Sequence, residues 1–267
     1  MTRRQAPARD DTSSLLVAQE RRIERLEQRF AALVNAVIPI GVALLATQDH
    51  TALLERILLE AKGLCGADGG TLYLRTDDEQ LRFVILRNDS LGIALGGSSG
   101  GEIPFPALPL RDPVSGAPNE RNVATYAALT GTSVAIADAY HADGFEFSGT
   151  LAFDRHSGYR STSFLTVPLK SGTGQVIGVL QLINAIDPET GAVVPFEADF
   201  VPVVESLSSL AAAALEVVMR EDRLRHEIRA LHVQIDEVKR AKQVAEIADT
   251  DYFRTLEQRA RALRERR

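Results

Sequence analysis

Between Phe145 and Asn184 the chain reads FEFSGTLAFDRHSGYRSTSFLTVPLKSGTGQVIGVLQLIN, and its first half crowds charge and hydroxyls against aromatic rings. Asp154, Arg155, Arg160, Ser161, Thr162 and Ser163 stand beside Phe145, Phe147, Phe153 and Tyr159. Rings offer flat faces and the polar groups offer directed hydrogen bonds, a combination suited to a pocket for a small, flat, polar ligand. The same residues also suit a surface loop whose aromatics plug a core, and residue types alone leave both readings open. Nucleophilic and metal chemistry find little support. Cys65 is the single cysteine, and His50, His141, His156, His226 and His232 are scattered without metal-ligand spacing. Cys65 sits in an apolar helical pattern and reads as a small buried hydrophobe.

The elements that must position these residues fit a chain with a substantial core. Of 267 residues, 45% are hydrophobic and 25% charged, which fits one ordinary domain with extensions. A net charge of −6 gives no support to wholesale nucleic-acid binding. No apolar leader follows the basic Met1-Thr2-Arg3-Arg4, and a single cysteine fits a reducing cytoplasm. The most apolar run, Ala31–Ala46, contains Asn35 and Pro39 and falls short of the roughly 20 apolar residues that span a bilayer. No membrane span is expected.

Two apolar, β-branched runs, Ser163–Leu169 and Val176–Ile183, flank Ser171-Gly172-Thr173-Gly174 and predict a hairpin. Thr71–Leu74 and Leu81–Leu86 predict a second hairpin, with Ala67-Asp68-Gly69-Gly70 breaking the helix Thr51–Cys65 before it. Ser90–Gly101, rich in Gly and Ser, reads as a mobile loop, and four prolines from Pro104 to Pro113 read as irregular chain. Asn119 or Asn122 should open a short helix that Gly131 closes, before a strand at Ser133–Ile136. A long helix should start near Phe196–Glu197, with Pro202 near its first turn.

Both chain ends carry heptads. Leu16, Ile23, Leu26, Phe30, Leu33, Val37, Ile40 and Leu44 keep four-three spacing, with Gln19 filling one slot. Pro39 should kink that helix. Leu224, Ile228, Leu231, Ile235 and Val238 repeat the spacing, continued by Lys242 and Ala245. The organisation read from this is a disordered tail at 1–12, a helix at 13–48, a domain at 49–219, a coiled coil at 220–248 and a short basic helical tail at 249–267.

The combination NVATYAALTGTSVAIADAY, FDRHSGYRSTSFLTVPL and GQVIGVLQLINA resembles a GAF domain over about Asp49 to Met219. It is similar to GAF domains of cyclic-nucleotide phosphodiesterases, bacterial adenylate cyclases and HD-GYP phosphohydrolases. The resemblance implies an α+β fold: a six-stranded antiparallel sheet with helices on one face that also serve dimerisation, and a pocket on the other face under the loop Tyr140–Tyr159. It implies cAMP or cGMP as a regulatory ligand, with Thr71 a base contact and Val123 and Ala124 presenting helix-start amides to the cyclic phosphate. Unpaired N–H groups at a helix start suit an anion. Asp154, Ser157, Tyr159 and Ser161 match the family's D-x-x-T-G-F-R-T lid pattern, and Phe145, Phe147, Asp138, Tyr140 and Arg160 fall in or beside that lid. Asp154 could accept from a purine N–H or cap a turn; Arg160 could reach a phosphate or pair with Asp154 or Asp138. The chain departs from the phosphodiesterase signature: Asn184 is followed by Ala185 rather than Lys, and the acidic pair after Phe196 is out of place. Relatives that reduce free methionine sulfoxide use several cysteines, so catalysis is not expected. The reading is a cytoplasmic homodimeric receptor that relays a small ligand through its helices to a separate output protein. The alternative is a ligand-free dimeric scaffold that assembles signalling partners.

Overall fold

The computed structural model describes residues 49–248 without a break, together with residues 19, 27, 31, 34, 35, 37–43, 255, 259–261 and 264. The tail at 1–12, most of the N-terminal heptad seam and most of 249–267 lie outside the described residues. The described residues from 37 to 43 are helical through Pro39, and Ile40 among them is fully buried.

Helix α1, His50–Cys65, forms because Leu53, Leu54, Ile57, Leu58, Ala61 and Cys65 recur at helical spacing and bury one stripe. Asp49 caps it by accepting from the Ala52 N–H at 2.9 Å. Gly66 ends it at φ 59°, where only glycine is unstrained. The helix therefore breaks at Gly66, and Ala67 already belongs to strand β1, Ala67–Arg75. The expected break at 67–70 is one residue late because β1 needs Gly69 and Gly70 in the sheet. A Cβ on Gly70 would lie 2.9 Å from Leu58 Cδ1.

The other strands are β2 (Gln80–Asn88), β3 (Ile93–Gly96), β4 (Leu108–Pro109), β5 (Val134–Ile136), β6 (Phe164–Lys170), β7 (Val176–Ile186) and β8 (Val193–Val194). Six of them run β3-β2-β1-β7-β6-β5, all antiparallel, as expected. The short β4 adds to β2 and β8 to β7. The register Gly70↔Leu182, Leu72↔Leu180 and Leu74↔Gly178 puts one set of residues on a common face. That face packs on α1 and on α4 (Phe200–Ala248), whose Val204, Leu207, Ala211 and Leu215 are buried. The register Gly69↔Ile183, Thr71↔Gln181 and Tyr73↔Val179 supplies the opposite face. A bulge in β2, where Leu72 pairs with Ile85 and Tyr73 with Phe83, turns both Phe83 and Leu86 to this second face.

The second face carries helix α2, Val123–Thr130, and helix α3, Ser148–Ser157. Segment 148–157, expected within the loop Tyr140–Tyr159, is helical and closed by Gly158 at φ 73°. Composition hides this because Ser, Gly, Asp and His are indifferent helix formers, and packing decides. Likewise Ile93–Gly96 is a strand within the stretch read as a mobile loop. The long helix starts at Phe200, not 196, since Glu197 and Ala198 carbonyls accept from Phe200 and Val201 in a preceding turn.

The chain divides into a compact unit 1–217 and a second unit 218–267. In the second unit Leu224, Ile228, Leu231 and Ile235 are each about half exposed. By length and composition, an 18-residue window within Phe200–Arg229 is apolar enough to cross a membrane. Packing on the sheet buries Val204, Leu207, Ala211, Ala212, Ala214 and Leu215 of that stretch.

Candidate functional site

A cavity of about 270 Å3 opens between the second face of the sheet and α2, α3 and the loop carrying Phe105. Its floor is Thr71 and Tyr73 from β1, Phe164 from β6, and Gln181 and Ile183 from β7. Alternation along each strand brings these five to one face. Gln181 is locked in place: its Oε1 accepts from the Tyr73 hydroxyl at 3.2 Å and its Nε2 donates to Thr166 Oγ1 at 3.0 Å. Burial raises the Tyr73 hydroxyl's pKa, so it stays neutral.

One wall is a ladder of rings. Tyr73 and Phe83 lie 4.7 Å apart, Phe83 and Phe105 5.5 Å, and Phe105 and Phe153 6.0 Å edge-on. The ladder joins the floor to α3. Phe147, which precedes α3, packs on Phe164 at 5.5 Å. At the start of α2 the Asn122 side chain accepts from the Ala124 and Thr125 amides at 2.9 and 3.2 Å.

Two buried carboxylates hold the rim. Asp154 on α3 accepts from the Tyr140 hydroxyl at 2.6 Å and from the Ser161 amide and hydroxyl, both at 2.8 Å. It therefore ties α3 to the Tyr140 loop and to the approach to β6. The Asp154 hydrogen bond is the first cause of a raised Tyr140 pKa. Asp68, at the start of β1, accepts from Tyr159 Oη, Asn88 Nδ2 and the Ser90 amide and hydroxyl. Burial alone would raise the Asp68 pKa, but the bonds from Tyr159 and Ser90 hold it below the ordinary value. The Tyr159 hydroxyl is pushed up by burial and by Asp68.

Asn184 completes the rim. At φ 56° it occupies a region that Asn tolerates better than most residues. Its Oδ1 accepts from the Thr162 and Ser163 amides, and its Nδ2 donates to Tyr159 Oη and the Arg160 carbonyl. The asparagine of the departed signature thus shapes the backbone between lid and β6.

Of the sequence-derived candidates, Thr71, Val123, Ala124, Phe147, Tyr159 and Ser161 line the cavity. Asp154 stands one layer behind, with its hydrogen bonds directed to Tyr140 and Ser161. The rest stand outside the lining. Ser157 donates to the Phe153 carbonyl at the end of α3. Arg160 lies over the Tyr140 ring at 3.9 Å. Asp138 accepts from the Tyr140 amide and pairs with His141. Phe145 packs edge-on against Tyr126. Sequence reasoning missed Phe83, Phe105, Thr150, Asn88 and Gln181. Gln181 had a signal, as the lone polar residue inside VIGVLQLI; Phe105, among prolines, had none.

No histidine lines the cavity. Cys65 ends α1, on the sheet's other face. Among the described residues no group of three His, Cys, Asp or Glu side chains is placed to hold a metal ion.

The family model of the GAF domain matches residues 49–215. Among solved structures, the chain is similar to the GAF domain of a phosphoenolpyruvate-protein phosphotransferase from Coxiella burnetii. That pair is 13% identical with a TM-score of 0.51, covering 72% of this chain and 98% of that one. The GAF domain of A. Aeolicus nlh2 in an inactive state is 14% identical with a TM-score of 0.47, covering 71% of this chain and 98% of that one. The free methionine-R-sulfoxide reductase from Neisseria meningitidis, solved with its substrate, is 17% identical with a TM-score of 0.48 and covers 71% and 91%. At these identities the likeness is one of fold alone.

Proposed function

Since the chain belongs to the GAF family through residues 49–215, a small-molecule-binding regulatory and signalling fold that is generally not catalytic, we propose that it is a receptor whose ligand sits in the cavity under α3. The observation that supports this most is the cavity itself. Its floor is a fixed hydrogen-bonding sheet face, its wall an aromatic ladder, and its rim a separate set of clasps. Its volume lies just under the roughly 300–1,000 Å3 common for ligand sites.

A path from lid to helix supports a relay. Asn184 holds 160–163, the Ser163 hydroxyl donates to the Val194 carbonyl of β8 at 2.8 Å, and α4 follows six residues after β8. A ligand that binds one lid arrangement better shifts this path by its differential affinity. The partner is a second copy of the chain, joined in parallel through Leu224, Ile228, Leu231, Ile235 and Val238, with a separate cytoplasmic protein reading the change.

The test is a thermal-shift screen of the purified protein against small heteroaromatics and against cAMP, cGMP and cyclic dinucleotides. A ligand that raises the melting temperature in wild type but not in Thr150→Phe, which fills the cavity, supports the receptor. A screen without any such ligand favours the ligand-free scaffold.

A further inference from the structure

Two cavity-lining residues carry charge, Arg87 and Glu146. Arg87 is committed elsewhere. Its Nε and one Nη donate to Glu55 of α1 at 3.1 and 2.6 Å, and its remaining N–H groups reach the Leu86, Leu95 and Gly96 carbonyls at 2.8, 2.6 and 3.2 Å. All five guanidinium donors are thereby used, on the sheet face opposite the cavity. Glu146 is exposed at the mouth and pairs with Arg121 at 3.7 Å. Behind the lining stand Asp68 and Asp154, both buried. At the α2 start, Asn122 already occupies the Ala124 and Thr125 amides. Among the described residues, no lining cation keeps a donor for the cavity, and the cations around it are engaged elsewhere: Arg121 with Glu146, Arg160 over the Tyr140 ring and Lys62 with Asp89.

From this we infer that the cavity selects an uncharged, flat aromatic or heteroaromatic molecule and disfavours anions, phosphate esters included. The inference rests on the receptor reading above and specifies its ligand. An anion entering here would lose water without gaining a counter-charge. A neutral ring meets Phe83, Phe105, Phe147, Phe153 and Phe164 on its faces and edges. Thr71 and Gln181 meet its polar edge. The Gln181 amide, held by Tyr73 and Thr166, keeps one N–H and one lone pair for that edge, a neutral donor–acceptor pair.

Calorimetry with probes matched in shape tests the charge preference on the full chain. 2-Naphthol and indole are uncharged at pH 7; 2-naphthoate carries the same bicyclic ring as the naphthol with a negative charge, and cAMP adds the nucleotide. The expected result is that a neutral probe binds at least about tenfold more tightly than 2-naphthoate and cAMP. Thr150→Phe should abolish that binding with an unchanged circular dichroism spectrum. Thr150→Arg, which places a cation on the α3 wall, should bring 2-naphthoate level with or ahead of 2-naphthol. Tighter binding of 2-naphthoate or cAMP to the wild type, lost in Thr150→Phe, would overturn the ligand class and leave the receptor standing. Absence of binding by every probe, or binding that persists in a folded Thr150→Phe protein, would overturn both.

Discussion

Asp154 and Asp68 are both at least nine-tenths buried, and each accepts a tyrosine hydroxyl from a different stretch of chain. Hydrogen bonds to a charged acceptor are worth about 1.5–3 kcal/mol each, and a donor left buried without a partner costs about 1–3 kcal/mol. Asp154→Ala strips three donors at once, so unfolding in urea should show a loss of about 2–4 kcal/mol, against about 1 kcal/mol for Tyr140→Phe. A loss near zero for Asp154→Ala would remove the clasp. Asp68 also predicts a pH dependence. Its native pKa lies below the ordinary value because Tyr159 and Ser90 outweigh burial. The unfolded chain therefore takes up the proton first as pH falls. The contribution is complete above the unfolded value of about 3.9 and is lost as pH drops through the depressed native one. Asp68→Asn should destabilise at neutral pH, and the gap between variant and wild type should close on acidification, as read from denaturation curves at a series of pH values.

At the scale of elements, two local devices set the cavity's shape. Asn122 caps α2, whose Ala124, Ala127 and Ala128 pack on Tyr73, Leu81 and Val179 of the sheet. Asn122→Ala should cost about 1 kcal/mol and loosen the cavity wall there. Deuterium exchange confined to 123–126 would report it. The second device is Gly178. A Cβ there would lie 2.4 Å from the Tyr73 carbonyl oxygen and 3.1 Å from Leu215 Cδ2 of α4. Gly178→Ala should therefore cost about 1–3 kcal/mol, chiefly because the new methyl meets the β1 backbone at the Tyr73 carbonyl. A variant as stable as wild type would mean that β7 does not approach the β1 backbone this closely at Gly178.

At the scale of the whole molecule, the half-exposed stripe Leu224, Ile228, Leu231 and Ile235 asks for a partner. Four large aliphatics at four-three spacing are what a two-stranded seam buries. Sedimentation equilibrium at micromolar concentration should give twice the chain mass. Ile228→Asp with Ile235→Asp should shift it to a monomer with the cavity intact, because each charge would be buried at the seam without a counter-ion. A wild-type monomer would remove the coiled-coil relay.

Much of this was legible in the sequence. Continuous apolar, β-branched runs located β6 and β7, because a strand buried on both faces is apolar along its length. Asn119 or Asn122 and Gly131 bounded α2, because a capping oxygen and a left-handed C-cap are demands of the local backbone, and the folded chain takes Asn122. The wording around GYRS and GQVIGVLQLINA was enough to indicate the GAF fold. The membership of the cavity was not legible. Asp154 stands in the recognisable lid pattern, yet its partners, Tyr140 and Ser161, come from 14 residues before it and 7 after. Phe83 faces the cavity through a bulge whose cause is pairing with β1, which a linear reading does not contain. Arg87 lines the same wall by position, but Glu55, 32 residues away, takes its charge to the other face. Spacing along the chain determines local conformation through backbone sterics and hydrogen bonds. Which polar groups satisfy one another, and so which are left to meet a ligand, is decided by contacts between distant segments that exist only once the sheet has formed.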